Sequence, residues 1–387
     1  MSPKTDSPPL PRIEPIRIKL PRAWHLQAAI RSPVKTSFGT MNARTAIMVM
    51  IEDARGRRGW GESWVNFPAW ASYERTKAFE LEYLPYLAGK EVADIPAFIR
   101  QMYLAFRGTA MQAGAMGPLV QAICAIELAL WDLAARAAGK PLRKLFCANP
   151  ADSVALYGSG INQPLPWPRI DALLDCGVGV FKLKLGFGDD DDLRNLKELA
   201  AHLGSKARIA VDVNRGWDLP TARRWLSVLR DFDVQWLEEP LRPDQEHLMG
   251  ELAAASPVPI AAGENTFFDP SAGDLAALAR LPMRIFQPDV TKNCPLHQAL
   301  ALLPMALAGG KRLYPHFLGS AVGQAASLQL ACCCGATLME WDVNENPLRT
   351  DLMRRPFKIE NGAIRLDDSP GIGYDLDDEA MGRFAVA

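Results

Sequence analysis

Short apolar runs alternate with helical stretches along the second half of the chain. The runs recur about every 24 to 28 residues, the length of one strand, one helix and two loops in a β/α barrel. The first strand is predicted at 154–161. Helical stretches follow at 191–203, 220–232, 245–255, 270–280, 296–308 and 320–333. This alternation predicts an α/β fold with a parallel barrel over residues 147–354.

The first third of the chain has a different pattern. Residues 13–20, 45–52 and 60–64 alternate between apolar and polar positions as strands do, with turn residues between the last two. Residues 72–146 are helical in character and include a long Ala- and Leu-rich segment. A sheet followed by helices predicts an α+β capping domain over residues 13–146.

Both ends of the chain are polar. Residues 1–12 lack an apolar signal core and are predicted to form a disordered start. Residues 355–387 are punctuated by Gly and Pro and have little core of their own, so we expect this tail to pack back on the capping domain. No apolar run is expected to reach the roughly 20 residues of a membrane span, which predicts a cytoplasmic protein without a membrane partner.

Nearly every apolar run of the second half ends in a polar residue. The carboxyl ends of parallel barrel strands converge on one mouth, where barrel enzymes place their active sites. Residues far apart in sequence are therefore expected to meet around one cavity. These residues are Lys182, Lys184, Asp212, Asn214, Glu238, Glu264, Asp289, His316 and Glu340.

Composition narrows the classes of partner. The 387 residues carry a formal net charge of −1, which gives no electrostatic reason to expect nucleic acid or an anionic membrane. The seven cysteines are an odd number, and we expect buried reduced thiols rather than disulfides or a metal cluster. Apart from His316, the histidines are predicted to lie at the surface. They are His25, His202, His247 and His297.

Three carboxylates end three successive predicted strands. Asp212, Glu238 and Glu264 would repel one another strongly without a cation, and a hard divalent metal resolves that repulsion. All-oxygen ligands favour Mg²⁺ or Mn²⁺ over zinc. Glu239 would point the other way in a regular strand, so we assign it no metal role. The alternative is that each acid caps a helix or pairs with a basic side chain.

The remaining strand ends carry acid–base groups. Lys182 and Lys184 are two residues apart on a strand and share a face, where crowding and burial would lower the pKa of Lys184 towards that of a base. Asp289 and His316 end neighbouring strands, and a carboxylate bound to one imidazole nitrogen raises the basicity of the other. Glu340 is a candidate to bind a substrate oxygen as a protonated or shared carboxyl.

Together these residues resemble the enolase superfamily, specifically its mandelate racemase-like group. The resemblance covers almost the whole chain. Its motifs are highly specific together, but no single motif is specific alone. Its motifs are Gly59-Trp-Gly-Glu62, Ala129-Leu-Trp-Asp-Leu133, Lys182-x-Lys184, Val211-Asp-Val-Asn214, Leu237-Glu-Glu-Pro240, Gly263-Glu-Asn265, Gln287-Pro-Asp289 with Lys292, and Pro315-His316.

The resemblance implies a modified (β/α)7β barrel under an α+β cap, in a homo-oligomer. It implies Mg²⁺ bound by Asp212, Glu238 and Glu264, and removal of the proton next to a substrate carboxylate to give an enediolate. It further implies roles for the other positions that match. Lys184 would be one acid–base group tuned by Lys182, His316 with Asp289 the other, Asn214 a substrate contact and Glu340 an electrophilic carboxyl.

Two positions separate this chain from its wider group. In the muconate-lactonising and dipeptide-epimerase groups, the position of Asp289 looks like a lysine. The aspartate in this chain therefore favours the mandelate racemase-like group. The loop after the sixth strand usually has Lys-x-Gly-Gly, whereas here Lys292 is followed by Asn293, Cys294 and Pro295. That departure puts the backbone at the mouth in question.

The predicted reaction is dehydration of a sugar acid to a 2-keto-3-deoxy acid. Racemisation or epimerisation of a 2-hydroxy acid is the alternative, followed by cycloisomerisation and by a binding scaffold without catalysis. Two N-terminal segments are expected to cover the mouth. Lys35 and Ser37 would bind a polar part of the substrate, whereas Phe38 and Trp64 would line an apolar part, and this mixture leaves the substrate open.

Overall fold

The computed structural model describes residues 10–272, 275, 280–335 and 338–386. The predicted disordered start at residues 1–12 lies mostly outside this description. The capping domain contains a four-stranded antiparallel sheet with the strand order β3-β2-β1-β4. Its strands are β1 (Ile16–Thr36), β2 (Gly39–Asp53), β3 (Arg58–Ser63) and β4 (Glu91–Val92). Strand β1 is much longer than its predicted apolar start, because it stays paired with β2 as far as Thr36.

Helices pack on this sheet. They are α1 (Ala71–Ala78), a π-helical turn (Phe79–Tyr83), α2 (Leu84–Leu87), α3 (Ile95–Gln112), α4 (Met116–Ala137) and α5 (Leu142–Phe146). Helix α4 packs directly on β3, and a Cβ on Gly61 would lie 1.9 Å from the Ala125 carbonyl oxygen. Glycine is therefore required for this close approach.

Helix α4 corrects the expectation that no segment is long and apolar enough to cross a membrane. Its 22 residues meet that test by length and composition, but 94% of the apolar window is buried inside the fold. The side chains from Leu119 to Ala135 are buried all round the helix. A largely apolar helix that is surrounded by protein on every face is a core helix.

Eight parallel strands form the second domain. They are β5 (Ser153–Ile161), β6 (Val180–Lys184), β7 (Arg208–Asp212), β8 (Leu237–Glu238), β9 (Ile260–Ala262), β10 (Ile285–Phe286), β11 (Arg312–Leu313) and β12 (Met339–Asp342). From β5 to β11, each strand pairs with the next strand in the sequence, and β12 pairs with β5. This arrangement, beneath the α+β cap, confirms the predicted fold of a capped TIM-type barrel.

Helices connect the barrel strands. They are α6 (Trp167–Asp175), α7 (Asp189–Leu203), α8 (Leu219–Asp231), α9 (Met249–Ala255), α10 (Leu296–Ala308), α11 (Ala321–Cys334) and, after β12, α12 (Pro347–Thr350). The helix predicted at 245–255 is instead a 3₁₀ turn (Pro243–Leu248) followed by α9. The helix predicted at 270–280 lies largely outside the described residues.

Buried aromatic rings fill the barrel just below the strand ends. Trp236 contacts Tyr157 and Tyr314 edge to face, with ring centroids 5.1 and 5.6 Å apart. All three rings are at most 4% exposed. The polar strand ends therefore rest on a packed apolar layer.

The C-terminal tail contacts both domains. It contains β13 (Ile359–Glu360), β14 (Ala363–Arg365) and α13 (Asp378–Phe384), and β14 pairs antiparallel with barrel strand β5. Further along, the Ile372 backbone N–H donates to Asp132 Oδ1 of the cap over 2.7 Å. A second long-range link joins buried Arg44 of the cap to Asp342 at the end of β12, with 2.5 Å between Nη2 and Oδ2.

Two histidines correct the prediction of surface positions. His25 is 5% exposed and packs edge to face on Tyr73. His297, at the start of α10, lies half-buried with Nδ1 2.8 Å from Glu127 Oε1 of cap helix α4. Glu127 is fully buried, so the pair joins the two domains. The six cysteines whose side chains the structure describes are all free thiols.

Candidate active site

Strand register brings the first site residues together. Lys184 pairs with Asp212 between β6 and β7, and Asp212 pairs with Glu238 between β7 and β8. Glu264 follows the end of β9 by two residues. Paired residues on adjacent strands lie about 5 Å apart, so three carboxylates and a lysine meet on one side of the mouth.

Lys182 lies at the floor of this cluster. Its Nζ contacts Glu238 Oε1, lies 2.8 Å from Glu340 Oε1 and 3.7 Å from Asp212 Oδ2. The side chain is fully buried. Burial would lower the pKa of Lys182, but the surrounding carboxylates outweigh it and raise the pKa well above its ordinary value. Lys182 is therefore favoured as a cation between strands β8 and β12.

Lys184 lies nearer the mouth. Its Nζ donates to Asp212 Oδ2 over 2.5 Å and to Asn214 Oδ1 over 2.8 Å. The prediction that crowding lowers its pKa is wrong for this arrangement: burial favours a lower pKa, but Asp212, Glu238 and Glu264 together outweigh it and the pKa is raised. The sequence placed the two lysines on one face but could not show that each has its own carboxylate.

The other two carboxylates have partners of different kinds. Glu238 Oε2 accepts hydrogen bonds from Trp236 Nε1 at 3.1 Å and Gln287 Nε2 at 2.7 Å, and burial raises its pKa to about 7. Glu264 lies 2.6 Å from His316 Nε2 and 3.1 Å from Lys292 Nζ. Burial would raise the pKa of Glu264, but these two cationic partners lower it well below its ordinary value.

Asp289 and His316 form the predicted pair. His316 Nδ1 lies 2.8 Å from Asp289 Oδ2, and the second carboxylate oxygen accepts from the Thr291 backbone N–H at 2.7 Å and its hydroxyl at 2.6 Å. Burial would lower the pKa of His316, but Glu264 first and Glu340 second raise it well above the ordinary value. Asp289 thus fixes the imidazole so that Nε2 faces Glu264.

Glu340 differs from its predicted protonation state. Its oxygens accept from Ser159 Oγ at 2.5 Å and from the Phe317 backbone N–H at 2.9 Å. Burial favours a higher pKa, but Lys182 and His316 outweigh it and lower the pKa of Glu340 to about 2. Glu340 is therefore an ionised carboxylate here, and the expectation of a protonated carboxyl is wrong for this arrangement.

Glu239 corrects the prediction that it points away from the cluster. Its backbone has φ of +38°, so the alternation of a regular strand ends before it. Asn265 Nδ2 donates to both Glu239 oxygens, at 3.0 and 2.8 Å, and to Glu264 Oε1 at 3.2 Å. Burial, and then the charge of Glu264, raise the pKa of Glu239 to about 8. No sequence pattern signals the positive φ.

The unusual loop after β10 is held by one side chain. Asn293 Nδ2 donates to the Gly263 and Thr266 carbonyl oxygens at 2.6 and 2.7 Å, and its Oδ1 accepts from the Asp289 backbone N–H at 3.0 Å. Pro295 then provides the N-cap position of helix α10. Asn293 occupies the variable position of the motif, and with Cys294 and Pro295 in place of the usual glycines it still ties Asp289 to the neighbouring fifth-strand loop.

The cap segments predicted to bind substrate have mixed surroundings. Ser37 Oγ donates to the Val213 and Asn214 carbonyl oxygens at 3.1 and 3.3 Å, so its hydroxyl ties the cap to the barrel. The Lys35 side chain is exposed, as is Phe38, whose ring packs on Phe67. Lys292 Nζ lies 4.7 Å from the centre of the Trp64 ring. Trp64 therefore covers the Glu264 side of the mouth.

The three strand-end carboxylates suit a hard divalent cation by their chemistry. Each now faces a lysine or histidine, and across the described part of the chain no three ligand side chains already converge on one point. Their buried negative charges need cations in some form, and oxygen ligands of this kind are those that Mg²⁺ prefers. Asp212, Glu238 and Glu264 therefore fit such a metal by donor type.

A capped parallel barrel with carboxylates, two lysines and an Asp–His pair at its strand ends defines an enzyme of the enolase type. The family model "Mandelate racemase / muconate lactonizing enzyme, N-terminal domain" matches residues 22–147, and the model "Enolase C-terminal domain-like" matches residues 169–380. The chain belongs to the mandelate racemase/muconate lactonizing enzyme group of the enolase superfamily.

Two curated relatives catalyse different reactions. The chain is 26% identical to D-galactarolactone cycloisomerase from Agrobacterium fabrum, covering 96% of this chain and 99% of that protein. It is 28% identical to L-talarate/galactarate dehydratase from Salmonella typhimurium, covering 94% and 89%. The relatives of this chain therefore include both a cycloisomerase and a dehydratase.

Two solved structures are similar over nearly their full length. A mandelate racemase/muconate lactonizing enzyme from Bordetella bronchiseptica has a TM-score of 0.86 and 34% identity, covering 96% of this chain and all of that one. A racemase from Streptomyces coelicolor with bound magnesium has a TM-score of 0.82 and 26% identity, covering 95% and 100%.

Proposed function

We propose that this enzyme removes the proton next to the carboxylate of a small acid, with Mg²⁺ as its cofactor and Mn²⁺ as a substitute. The favoured outcome is dehydration of a sugar acid to a 2-keto-3-deoxy acid. The observation that carries this proposal is the pairing of His316 with Asp289 across the cluster from Lys184. Two acid–base groups around one row of carboxylates suit a reaction that moves two protons.

Lys184 is the proposed group on the first side. Asp212 and Asn214 orient its Nζ towards the mouth, where it would accept the α-proton and return it. A divalent cation bound by Asp212, Glu238 and Glu264 would supply positive charge for the substrate carboxylate and for the enediolate. Because Asp212 is also the partner that raises the pKa of Lys184, sharing Asp212 would move that pKa towards the range of a base.

His316 is the proposed group on the second side. Its Nε2 carries the proton that a leaving β-hydroxyl needs, while Asp289 holds Nδ1. Loss of that hydroxyl from the enediolate gives an enol, which becomes the 2-keto-3-deoxy acid. Lys182 would keep the deeper carboxylates neutralised, Glu340 would face the substrate, and Asn214 would bind a substrate oxygen.

Racemisation or epimerisation of a 2-hydroxy acid is the second candidate. The same geometry favours it, because Lys184 could take the α-proton from one side and His316 return one to the other. The Streptomyces racemase supports this alternative, as the Agrobacterium relative supports a cycloisomerase. A binding scaffold is disfavoured because acid–base groups and carboxylates are all retained.

Exchange of the α-proton in deuterated water tests the proposal. Aldonic, aldaric and aromatic 2-hydroxy acids are incubated with enzyme and Mg²⁺, while keto acids are followed in parallel. Keto-acid formation supports dehydration, and deuterium uptake with scrambled stereochemistry supports racemisation instead. If none of these acids gave either a product or exchange, that result would contradict α-proton chemistry for this set of substrates. A homo-oligomer in the cytoplasm remains our expectation, and sedimentation and fractionation test it.

A further inference from the structure

A buried carboxylate of the cap contacts the barrel just beyond His316. Glu62, at the end of β3, is 1% exposed and accepts from the Ser320 backbone N–H at 2.7 Å, the Ser320 hydroxyl at 2.6 Å and the Gly323 backbone N–H at 2.8 Å. These donors form the first turn of helix α11. Glu62 thus satisfies backbone groups that would otherwise remain unpaired at a buried helix start.

The loop leaves room for this carboxylate by lacking side chains. A Cβ on Gly319 would lie 2.5 Å from Glu62 Oε1, and a Cβ on Gly323 would lie 2.3 Å from the Phe317 ring. Phe317, next to His316 in sequence, is 1% exposed. The Glu62 contact is therefore packed directly against the residue that follows the imidazole.

Two further contacts come from the loop after β3. The Trp64 backbone N–H donates to the Thr291 carbonyl oxygen at 3.0 Å, and Asn66 Nδ2 donates to the Leu318 carbonyl oxygen at 2.5 Å. Thr291 is the residue that binds Asp289 through its N–H and hydroxyl. Residues 62–66 of the cap therefore hold both loops that carry the Asp–His pair.

We propose that Glu62 is a positioning residue for His316, and that residues 62–66 set the geometry of the pair formed by Asp289 and His316. Lys184 lies within a paired strand and needs no such support. The inference rests on the proposed acid–base role of His316, but the geometry itself can be tested without a substrate. Glu62 touches no reacting atom and acts through the loop.

The imidazole proton of His316 reports this geometry. The chain has five histidines, so nitrogen-15 labelling of histidine gives a small set of resonances. The signal of the Nδ1 proton bound to Asp289 is assigned by its loss in His316→Asn, in protein saturated with Mg²⁺. We expect Glu62→Gln to shift or broaden this signal, because its amide replaces one acceptor by a donor facing a backbone N–H.

Asp132→Asn is the matched control. Asp132 is also a fully buried cap carboxylate that accepts backbone N–H groups, from Trp60 and Ile372, but it contacts neither loop of the pair. Asp132→Asn should lower the melting temperature yet leave the His316 signal in place. An unchanged His316 signal in folded Glu62→Gln, or an equal change in Asp132→Asn, would overturn the proposal.

Asn66→Ala keeps the test decisive if Glu62→Gln does not fold. It removes only the bond to the Leu318 carbonyl oxygen, and a smaller shift of the same signal is expected; no shift would count against the proposal.

With an acid whose α-proton exchanges, Glu62→Gln should slow exchange from the His316 side by about 100-fold, since displacements near 1 Å have such effects. Equal slowing on the Lys184 side would contradict the proposal. Absence of both exchange and keto-acid formation in the wild-type enzyme would instead contradict the proposed function and leave the signal test intact.

Discussion

The two sides of the candidate site are built in different ways. On the first side, Lys184, Asp212 and Glu238 are consecutive partners in the barrel sheet, and strand pairing alone brings them together. On the second side, Asp289 and His316 lie on loops beyond very short strands, and the cap holds those loops through residues 62–66. Backbone pairing therefore determines one side, whereas contact between domains determines the other.

This difference indicates where the site is sensitive to change. A residue within a paired strand keeps its position through hydrogen bonds on both sides, so a remote substitution has little effect on it. A loop residue depends on each tertiary contact that orders it. Substitutions in the cap should therefore disturb the His316 side before they disturb the Lys184 side.

The largest expected effect is that of His316→Asn. Because a positioned acid–base group typically contributes about 10² to 10⁴-fold, turnover should fall by that factor. Exchange of the α-proton from the Lys184 side should survive, since the strands that hold Lys184 are unchanged. Deuterium exchange on each enantiomer measures both sides separately. Intact turnover in this variant would remove His316 from the mechanism.

Loss of a strand-end carboxylate should weaken the metal site on the first side. Glu238→Gln is expected to lower Mg²⁺ affinity by at least about 100-fold, because substitutions of mere outer-shell partners already cost 10 to 100-fold. Titration calorimetry measures this affinity. The neighbouring Glu239→Gln is the control, with an expected loss of about tenfold through Asn265 and Glu264. A larger loss of Mg²⁺ affinity in Glu239→Gln than in Glu238→Gln would assign the metal to Glu239 instead of Glu238.

The link between His297 and Glu127 gives a pH-dependent test of cap contact on the second side. Burial would lower the pKa of His297, but Glu127 outweighs burial and raises it. Stability from this pair is then fully present below pH 6.5 and is lost as the pH rises through the higher folded pKa. His297→Gln should therefore reduce the free energy of unfolding by about 1.5 to 3 kcal/mol at acidic pH, and by less at alkaline pH.

Denaturant unfolding of both proteins across this pH range measures the difference. A difference between wild type and His297→Gln that does not vary with pH would show that His297 is neutral in the fold. A difference that grows with rising pH would have the wrong sign for an ion pair between His297 and Glu127.

The smallest effect is expected for Ser37→Ala, which removes the cap contact on the first side. Losing the bonds to the Val213 and Asn214 carbonyl oxygens should cost about 0.5 to 1.5 kcal/mol of stability. Exchange from the Lys184 side should change by no more than about threefold, roughly 0.7 kcal/mol in barrier. A much larger change would mean that the cap positions both sides alike.

Residues on the paired strands were predictable because their spacing follows from strand and helix lengths. The apolar runs ending at Lys184, Asp212 and Glu238 indicated both the fold and a shared mouth. Glu239 was not predictable, because its direction depends on a positive φ that no neighbouring residue signals.

Contacts between distant segments were also beyond sequence patterns. The ionised state of Glu340 depends on Lys182 and His316, and the burial of His297 depends on Glu127 in another domain. Glu62 belonged to a motif of the resemblance, but nothing local indicated that its carboxylate reaches Ser320. Such roles are set by tertiary packing rather than by propensity.

Some buried polar groups of the cap have partners near the C-terminus, and this has a consequence for synthesis on the ribosome. Arg44 is buried beside Asp342, and Asp132, although paired with Arg136 of its own helix, also accepts the N–H of Ile372, so a buried charge and a buried acceptor made early are completed only by residues translated near the end. A buried charge without its partner is strongly unfavourable. The nascent cap must therefore remain incomplete until almost the whole chain has emerged, and expression of residues 13–146 alone should yield an unstable fragment rather than a separate domain.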